Sequence, residues 1–290
     1  MIKEFEHFAP KTLKEALALL DKYQDDCKVI CGGQSLLVLM RQGLVSPPYM
    51  VDIKGIAELS YIKDEKDGLK IGATTTHRAI EKSAVIKKKY PVLAKMETRL
   101  ASIQTRNWGT IGGNVCHGDP AGDPVPVLIA LGATLTMAGS KGKRSMPVDD
   151  FCLDYFETAL EPGELLTEIA LPVVPPNTGS AYYKFNVIES DLATVSVAAT
   201  VTLGAGDTCQ DIRIALGASA SIPMRPKKAE ALLKGKKITD ALLAQAGEAA
   251  ATEADPLSDI YASEEYRREL IKVLVPRLTR EAMDNARKAK

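Results

Sequence analysis

Two stretches of this chain carry adjacent glycines: Cys31-Gly32-Gly33-Gln34-Ser35, directly after the apolar pair Val29-Ile30, and Thr110-Ile111-Gly112-Gly113-Asn114, directly after Arg106-Asn107-Trp108-Gly109. Adjacent glycines reach positive φ and carry no Cβ, so successive backbone N–H groups can turn inward and meet an anion at close range. One Gly-Gly pair is weak evidence, because most are ordinary turns. Here both pairs follow ordered segments and are followed by small polar residues, Gln34-Ser35 and Asn114, suited to phosphate oxygens. The dinucleotide fingerprint G-x-G-x-x-G is absent from both places, which argues against a Rossmann-type site. A pyrophosphate gripped by two separated loops is the natural reading.

Working outward from the first loop, Thr12 and Glu15 have capping-box spacing, and Leu13, Ala16, Leu17 and Leu20 mark one buried helix face. Strands are expected at Lys28 to Ile30 and Tyr49 to Ile53, with a short helix from Leu36 to Met40. A second lobe begins near residue 58 with a hairpin turning at Asp67-Gly68. Thr74 to Thr76 offer N-caps, Pro91 opens a helix, and strands follow over 133–147 and 164–171. The run Val174-Pro175-Pro176-Asn177-Thr178-Gly179 is the best linker. Beyond it, strands at 181–185, 194–203 and 212–216 precede helices rich in Ala, Leu, Lys and Glu. The last helix starts near Ser263, carries Tyr266, Leu270, Leu274 and Leu278 as an expected core stripe, and is expected to kink at Pro276.

The chain has 290 residues, 46% of them hydrophobic, and balances 37 Lys plus Arg against 37 Asp plus Glu. Two domains are the length prior, and zero net charge gives no sign of nucleic acid or anionic lipid as a bulk partner. With no signal-peptide layout and no apolar run of membrane length, a cytoplasmic location is the default expectation and no transmembrane segment is expected. The five cysteines (27, 31, 116, 152 and 209) lack zinc or ferredoxin spacing, so any iron–sulfur cluster is expected on another chain. His7, His77 and His117 form no metal motif, and no metal site is expected.

Further landmarks are Val51-Asp52-Ile53, Ile71-Gly72-Ala73-Thr74-Thr75, Gln104 with Arg106-Asn107, Gly118-Asp119-Pro120 and Pro162-Gly163-Glu164-Leu165-Leu166. Together with both glycine loops, they resemble the FAD-binding medium subunit of the molybdenum hydroxylase family, which includes aerobic-type carbon monoxide dehydrogenase and xanthine dehydrogenase. The match runs over nearly the whole chain. The resemblance implies an α+β fold: a two-lobed FAD-binding domain of the vanillyl-oxidase (PCMH) type over residues 1–175, with lobes of about 1–57 and 58–175. A smaller α+β C-terminal domain of the carbon monoxide dehydrogenase flavoprotein type follows over 176–290.

Carried over by position, the resemblance implies FAD contacts from Val29, Ile30, Cys31, Gly32, Gly33, Gln34, Ser35 and Leu36 on one side. Thr110, Ile111, Gly112, Gly113 and Asn114 supply the other, and Asp123, Leu166 and Lys184 match further cofactor-contacting positions. Two of these have bland alternatives: Asp123 as a helix cap, and Lys184 as a side chain snorkelling to solvent. Where the carbon monoxide dehydrogenase branch has a tyrosine after an aspartate near the flavin, this chain has Asp191-Leu192. The flavin face is then either less shielded or shielded by another side chain such as Ile188. No cysteine-rich insertion for an extra cluster is present.

The function implied is electron transfer. FAD takes electrons from [2Fe–2S] clusters of a small partner, fed by a molybdenum cofactor on a large partner, and passes them to an external acceptor, in a heterotrimer or its dimer. No residue is expected to act as a catalytic acid, base or nucleophile. The alternatives are a free-standing FAD-dependent oxidase or dehydrogenase of the same fold, and a protein that keeps the fold without a working flavin.

Overall fold

The computed structural model describes residues 2–289. It opens with β1 (Glu6–Phe8), α1 (Leu13–Tyr23), β2 (Cys27–Ile30), α2 (Leu36–Arg41) and β3 (Tyr49–Asp52). The strands form a parallel sheet ordered β1-β3-β2. Helix α1 starts at the expected capping box, the Thr12 hydroxyl accepting from the Glu15 N–H at 3.2 Å while the Glu15 carboxylate accepts from the Thr12 N–H. Its Ala16 and Leu20 are buried against Val51 and Ile53 in the small core of this first lobe.

The second lobe contains β4 (Ile62–Glu65), β5 (Gly68–Gly72), α3 (His77–Lys82), α4 (Ala84–Lys89), α5 (Pro91–Arg99), α6 (Ile103–Trp108), α7 (Ile111–His117) and α8 (Pro124–Leu131). It continues with β6 (Thr134–Gly139), β7 (Gly142–Pro147), the short β8 (Cys152–Asp154) and β9 (Glu157–Thr158), and β10 (Leu165–Pro172). Here the sheet is five-stranded, in the order β4-β5-β10-β6-β7. The second glycine pair is not a loop: Gly112 and Gly113 lie in the first turn of α7, and neither has positive φ. The Thr110 hydroxyl caps that helix, accepting from the Gly113 N–H at 3.2 Å, so the polar run after Gly109 reads better as a helix start than as a turn.

The remaining chain forms β11 (Thr178–Phe185), β12 (Val195–Leu203) and β13 (Cys209–Gly217), an antiparallel sheet in that order. It is followed by α9 (Lys227–Leu233), α10 (Asp240–Glu253) and α11 (Glu264–Lys288). Successive side chains of a strand point to opposite faces. On β12, Val197, Ala199 and Val201 pack with α11 residues such as Leu274 and Leu278, whereas Ala198 joins the core of the second lobe. The bridge is α8, Pro-Val-Pro-Val-Leu-Ile-Ala-Leu, apolar on every side and buried from Pro124 to Ala130. A helix without a polar face needs cover all round, and α8 lies between α5 on one side and β12 and β13 on the other.

Helix α11 runs through Pro276 without interruption. The proline marks where α10 crosses it: a Cβ on Gly247 would lie 3.0 Å from Pro276 Cγ and 2.6 Å from the Lys272 carbonyl oxygen. Of the expected stripe, Leu274 and Leu278 are buried but Tyr266 is half exposed, edge-on to Phe185. The true inner face adds Ile271, Val275, Ala282, Met283 and Ala286. Gly179 on β11 lets α11 approach closely, since a Cβ there would sit 2.1 Å from the Ala286 nitrogen and 2.3 Å from the Ala282 oxygen. Gly179→Ala is expected to lower stability by about 1–3 kcal/mol through overpacking. Urea denaturation of the variant measures it, and a change below a few tenths of a kcal/mol would contradict the close crossing.

Candidate functional site

A cavity of about 610 Å³ opens where the first lobe, the second lobe and β11 meet. Small-molecule sites commonly occupy roughly 300–1,000 Å³. Of the residues expected to contact a cofactor, all but Ile111 line it: Val29 to Leu36, Thr110, Gly112, Gly113, Asn114, Asp123, Leu166 and Lys184. Ile111 is fully buried in the core behind the wall.

The two glycine elements do different things. In the first, Gly33 has φ of 70°, and a Cβ on Gly32 would stand 2.5 Å from the Trp108 oxygen and 2.7 Å from Gly109 Cα. The loop therefore lies backbone against backbone on the residues leading into α7. The N–H groups of Gly32, Gly33, Gln34 and Ser35 donate to no acceptor among the described residues. The Ser35 hydroxyl makes no cap bond to α2, although Ser35 holds the N-cap position. In the second element the amides are engaged. Ile111 N–H donates to Thr75 O (3.1 Å), Gly112 N–H to Ala73 O (2.9 Å), Gly113 N–H to the Thr110 hydroxyl, and Asn114 N–H to Thr110 O (3.0 Å). The expectation of two similar anion cradles is thus corrected: the first is an open run of amides, and the second is a helix start whose glycines let the chain come close. A Cβ on Gly112 would meet the Ala73 oxygen at 2.5 Å. What α7 offers the cavity is side-chain chemistry at Thr110 and Asn114.

The bland alternatives for Asp123 and Lys184 are both overturned. Asp123 occupies the N-cap position of α8 but caps nothing with its side chain. It accepts from Lys184 Nζ at 2.7 Å and from the Tyr182 hydroxyl at 2.5 Å. Lys184 is 1% exposed and also donates to the Arg99 carbonyl at 2.9 Å. Strand alternation explains this: Tyr182 and Lys184 share the face of β11 turned toward Asp123, and both side chains are buried there. Burial pushes the Asp123 carboxyl above its usual range, and the Lys184 ammonium opposes that shift.

The other wall is largely apolar, with Ile53, Leu100, Leu160, Leu165 and Leu166, and Ser190, Asp191 and Leu192 stand on it as well. At the position where the flavin-shielding tyrosine was expected, Leu192 lines the cavity and is 59% exposed, whereas Ile188 lies outside the lining. Glu164, also on the wall, is tied to Arg144 at 2.7 and 2.6 Å, and the guanidinium holds its carboxyl below the usual range. Burial pushes the Cys31 thiol up and that of Cys116 to about 12. It also lowers the His117 pKa. Burial thus disfavours the reactive thiolate form of both cysteines. Sequence reasoning passed over His77, Thr105, Cys116 and Phe156 on this wall. None belongs to a glycine motif, and they are brought together only by the packing of α3, α6, α7 and the hairpin after β8.

Fold and cavity define a two-lobed α+β nucleotide-cofactor protein with an appended three-stranded, three-helix unit. The chain belongs to the family described as the FAD binding domain in molybdopterin dehydrogenase, which matches residues 3–174, and residues 180–282 match the carbon monoxide dehydrogenase flavoprotein C-terminal domain. It is 35% identical over 273 residues to the carbon monoxide dehydrogenase medium chain of Hydrogenophaga pseudoflava, covering 94% of this chain and 95% of that one. Identity to the glyceraldehyde dehydrogenase medium chain of Sulfolobus acidocaldarius is 34%, over 96% and 98% of the two chains. The solved carbon monoxide dehydrogenase of Hydrogenophaga pseudoflava contains a chain that superposes with a TM-score of 0.95, at 35% identity over 100% of this chain and 99% of that chain. The protein is therefore a flavoprotein subunit of the oxidoreductases of the molybdenum hydroxylase family, with FAD as its cofactor.

FAD fits the residues present. The free amides at Gly32 to Ser35 suit a diphosphate, a Cβ at Gly32 would push their loop off the Trp108–Gly109 backbone, and the apolar wall suits a flat ring system. Among the described residues no group of three or more His, Cys, Asp or Glu could hold a metal ion, and no helix is long and apolar enough to cross a membrane.

Proposed function

We propose that this chain relays electrons within a larger enzyme, from [2Fe–2S] clusters of a small subunit to an external acceptor, the clusters being supplied by a molybdenum-cofactor subunit. The observation that carries this reading is the run of four amides without an acceptor among the described residues, Gly32 to Ser35, at the edge of a cavity with a largely apolar wall. Bound FAD supplies the storage and passage of electrons. The protein's own residues bind and orient. Gly32 to Ser35 receive the diphosphate, with Thr110 and Asn114 closing over it from α7. Val29, Ile30, Cys31, Leu36 and Leu166 exclude water, and the Asp123–Lys184 pair fixes the polar floor. Residues 1–175, in lobes of about 1–57 and 58–175, would form the FAD-binding domain, and 176–290 the C-terminal domain. The separate sheets and the two family matches support that division, and the relatives named as medium chains support large and small companions.

The experiment compares the isolated chain with the co-expressed complex by flavin absorbance. Dithionite should bleach the flavin in both, whereas the oxidisable substrate of the complex should bleach it only when all three subunits are present. Rapid bleaching of the isolated chain by an organic substrate or carbon monoxide would replace this reading with a free-standing dehydrogenase. A smaller effect is expected within the site. Ser35→Ala and Asn114→Ala should each weaken FAD binding about tenfold, the loss of one hydrogen bond to a charged group. Fluorescence titration of the flavin-free chain reads this, and unchanged affinity in both variants would remove these side chains from the contact set.

A further inference from the structure

His77 is the first residue of α3, 2% exposed, and lines the cavity. Its backbone N–H donates to the Gly109 carbonyl at 3.0 Å. The ring lies beside Gly109, whose Cβ position would be 3.2 Å from His77 Cδ2 and 3.5 Å from Gln34 Cγ. Gly109 in turn touches Gly32. His77 therefore stands where the two glycine elements meet. Its Nδ1 is 2.9 and 3.2 Å from the two carboxylate oxygens of Glu97, a side chain with no exposure at all. Its Nε2 has no hydrogen-bond partner among the described residues, yet is not sealed from the cavity.

The state of Nε2 follows from the burial of its neighbour. An uncompensated carboxylate in the interior is costly, and burial pushes the Glu97 carboxyl upward. The surrounding charges have partners of their own: Asp123 pairs with Lys184 at 2.7 Å, and Glu81 pairs with both Arg106 at 3.0 Å and Arg78 at 2.6 Å. A net-neutral His77–Glu97 pair has two forms in which every proton between the two groups finds an acceptor: imidazolium with carboxylate, or imidazole accepting at Nδ1 from a protonated carboxyl. Both place a hydrogen on Nε2. An Nδ1–H imidazole would leave Nε2 as an acceptor, but beside a carboxylate it leaves a net buried negative charge, and beside a protonated carboxyl it leaves the carboxyl O–H with no acceptor among the described residues. The cavity thus presents an N–H donor, held by the buried Glu97 carboxyl group, in a lining that also includes Gly32 to Ser35.

We propose that His77, held in place by Glu97, is a further cofactor-binding residue whose Nε2–H donates to a diphosphate oxygen of FAD. This rests on the FAD reading above and adds a side-chain ligand that lies in neither glycine motif. His77→Asn and His77→Gln separate its two ends: Asn keeps a donor near Nδ1 for Glu97 and loses the cavity end, while Gln keeps an amide near Nε2 and loses the Glu97 end.

The test titrates FAD into the flavin-free full chain by fluorescence and records ³¹P spectra of the bound cofactor at saturation, with melting curves to check folding. His77→Asn should weaken FAD about 10- to 100-fold, the range for a hydrogen bond to a charged group. His77→Gln should stay within about fivefold of wild type, and the ³¹P resonances should differ between wild type and His77→Asn. Wild-type affinity in His77→Asn, or equal losses in both variants, would overturn the proposal, as would unchanged ³¹P resonances. Should His77→Asn fail to fold, His77→Gln decides alone, because a large loss of FAD there means the cavity end is not what matters. A wild-type chain that takes up no FAD would instead refute the function proposed above.

Discussion

Gly33→Glu is expected to yield a folded chain that purifies with less than about a tenth of the wild-type flavin. Gly33 has φ of 70°, so a side chain there costs about 1–2 kcal/mol of backbone strain. The nearest atom to a new Cβ is Leu37 Cδ1 at 3.0 Å, the movable end of a side chain. The chain should survive both. Its new carboxylate, however, would sit beside the unengaged amides of Gly32 to Ser35 and occupy or repel the anion they serve. The absorbance ratio of flavin to protein, taken with a melting curve, measures the two effects separately. Gly112→Glu should behave differently, because its Cβ would meet the Ala73 backbone oxygen at 2.5 Å and folding itself should suffer. A Gly33→Glu chain with stoichiometric, normally bound flavin would place the diphosphate elsewhere.

Asp123→Ala is expected to destabilise the flavin-free chain by about 3–5 kcal/mol, the usual cost of leaving one member of a buried ion pair alone. Lys184 would keep only the Arg99 carbonyl, and the Tyr182 hydroxyl would lose its acceptor. The double variant Asp123→Leu with Lys184→Met should recover most of that loss, since no buried charge remains. Urea denaturation of the single and double variants gives the comparison, and a single-variant cost under about 1 kcal/mol would contradict the buried pair. Both variants should also bind FAD less well, because both side chains line the cavity.

Much of this architecture was legible in the residues. Period-two and period-3.6 patterns, with caps such as Thr12 and Glu15 and turns such as Asp67-Gly68, place most elements within a few residues. Such signals are local, carried by neighbours in sequence. The glycine pairs likewise marked the cavity, because close backbone approach leaves a trace in residue type. The role of each pair was not legible. Whether an amide is free or engaged depends on carbonyls far away in sequence: Ala73 and Thr75 occupy the amides of Gly112 and Ile111, and no acceptor among the described residues occupies those of Gly32 to Ser35.

By itself, then, the sequence determined the family, the α+β class and the cofactor, and it pointed to part of the cavity wall, since each rests on residue types in a recognisable order. Only the tertiary structure decided what the polar residues do. Lys184 follows the pattern of a snorkelling lysine until β11 turns that face onto Asp123 and away from solvent. His77 matches no motif, and it becomes a candidate ligand because α3 sets it between Glu97 and the meeting point of two distant glycine elements. The physical reason is common to both. The ionisation and hydrogen-bonding role of a buried group is set by what surrounds it in space, and those surroundings come from segments far apart in the chain.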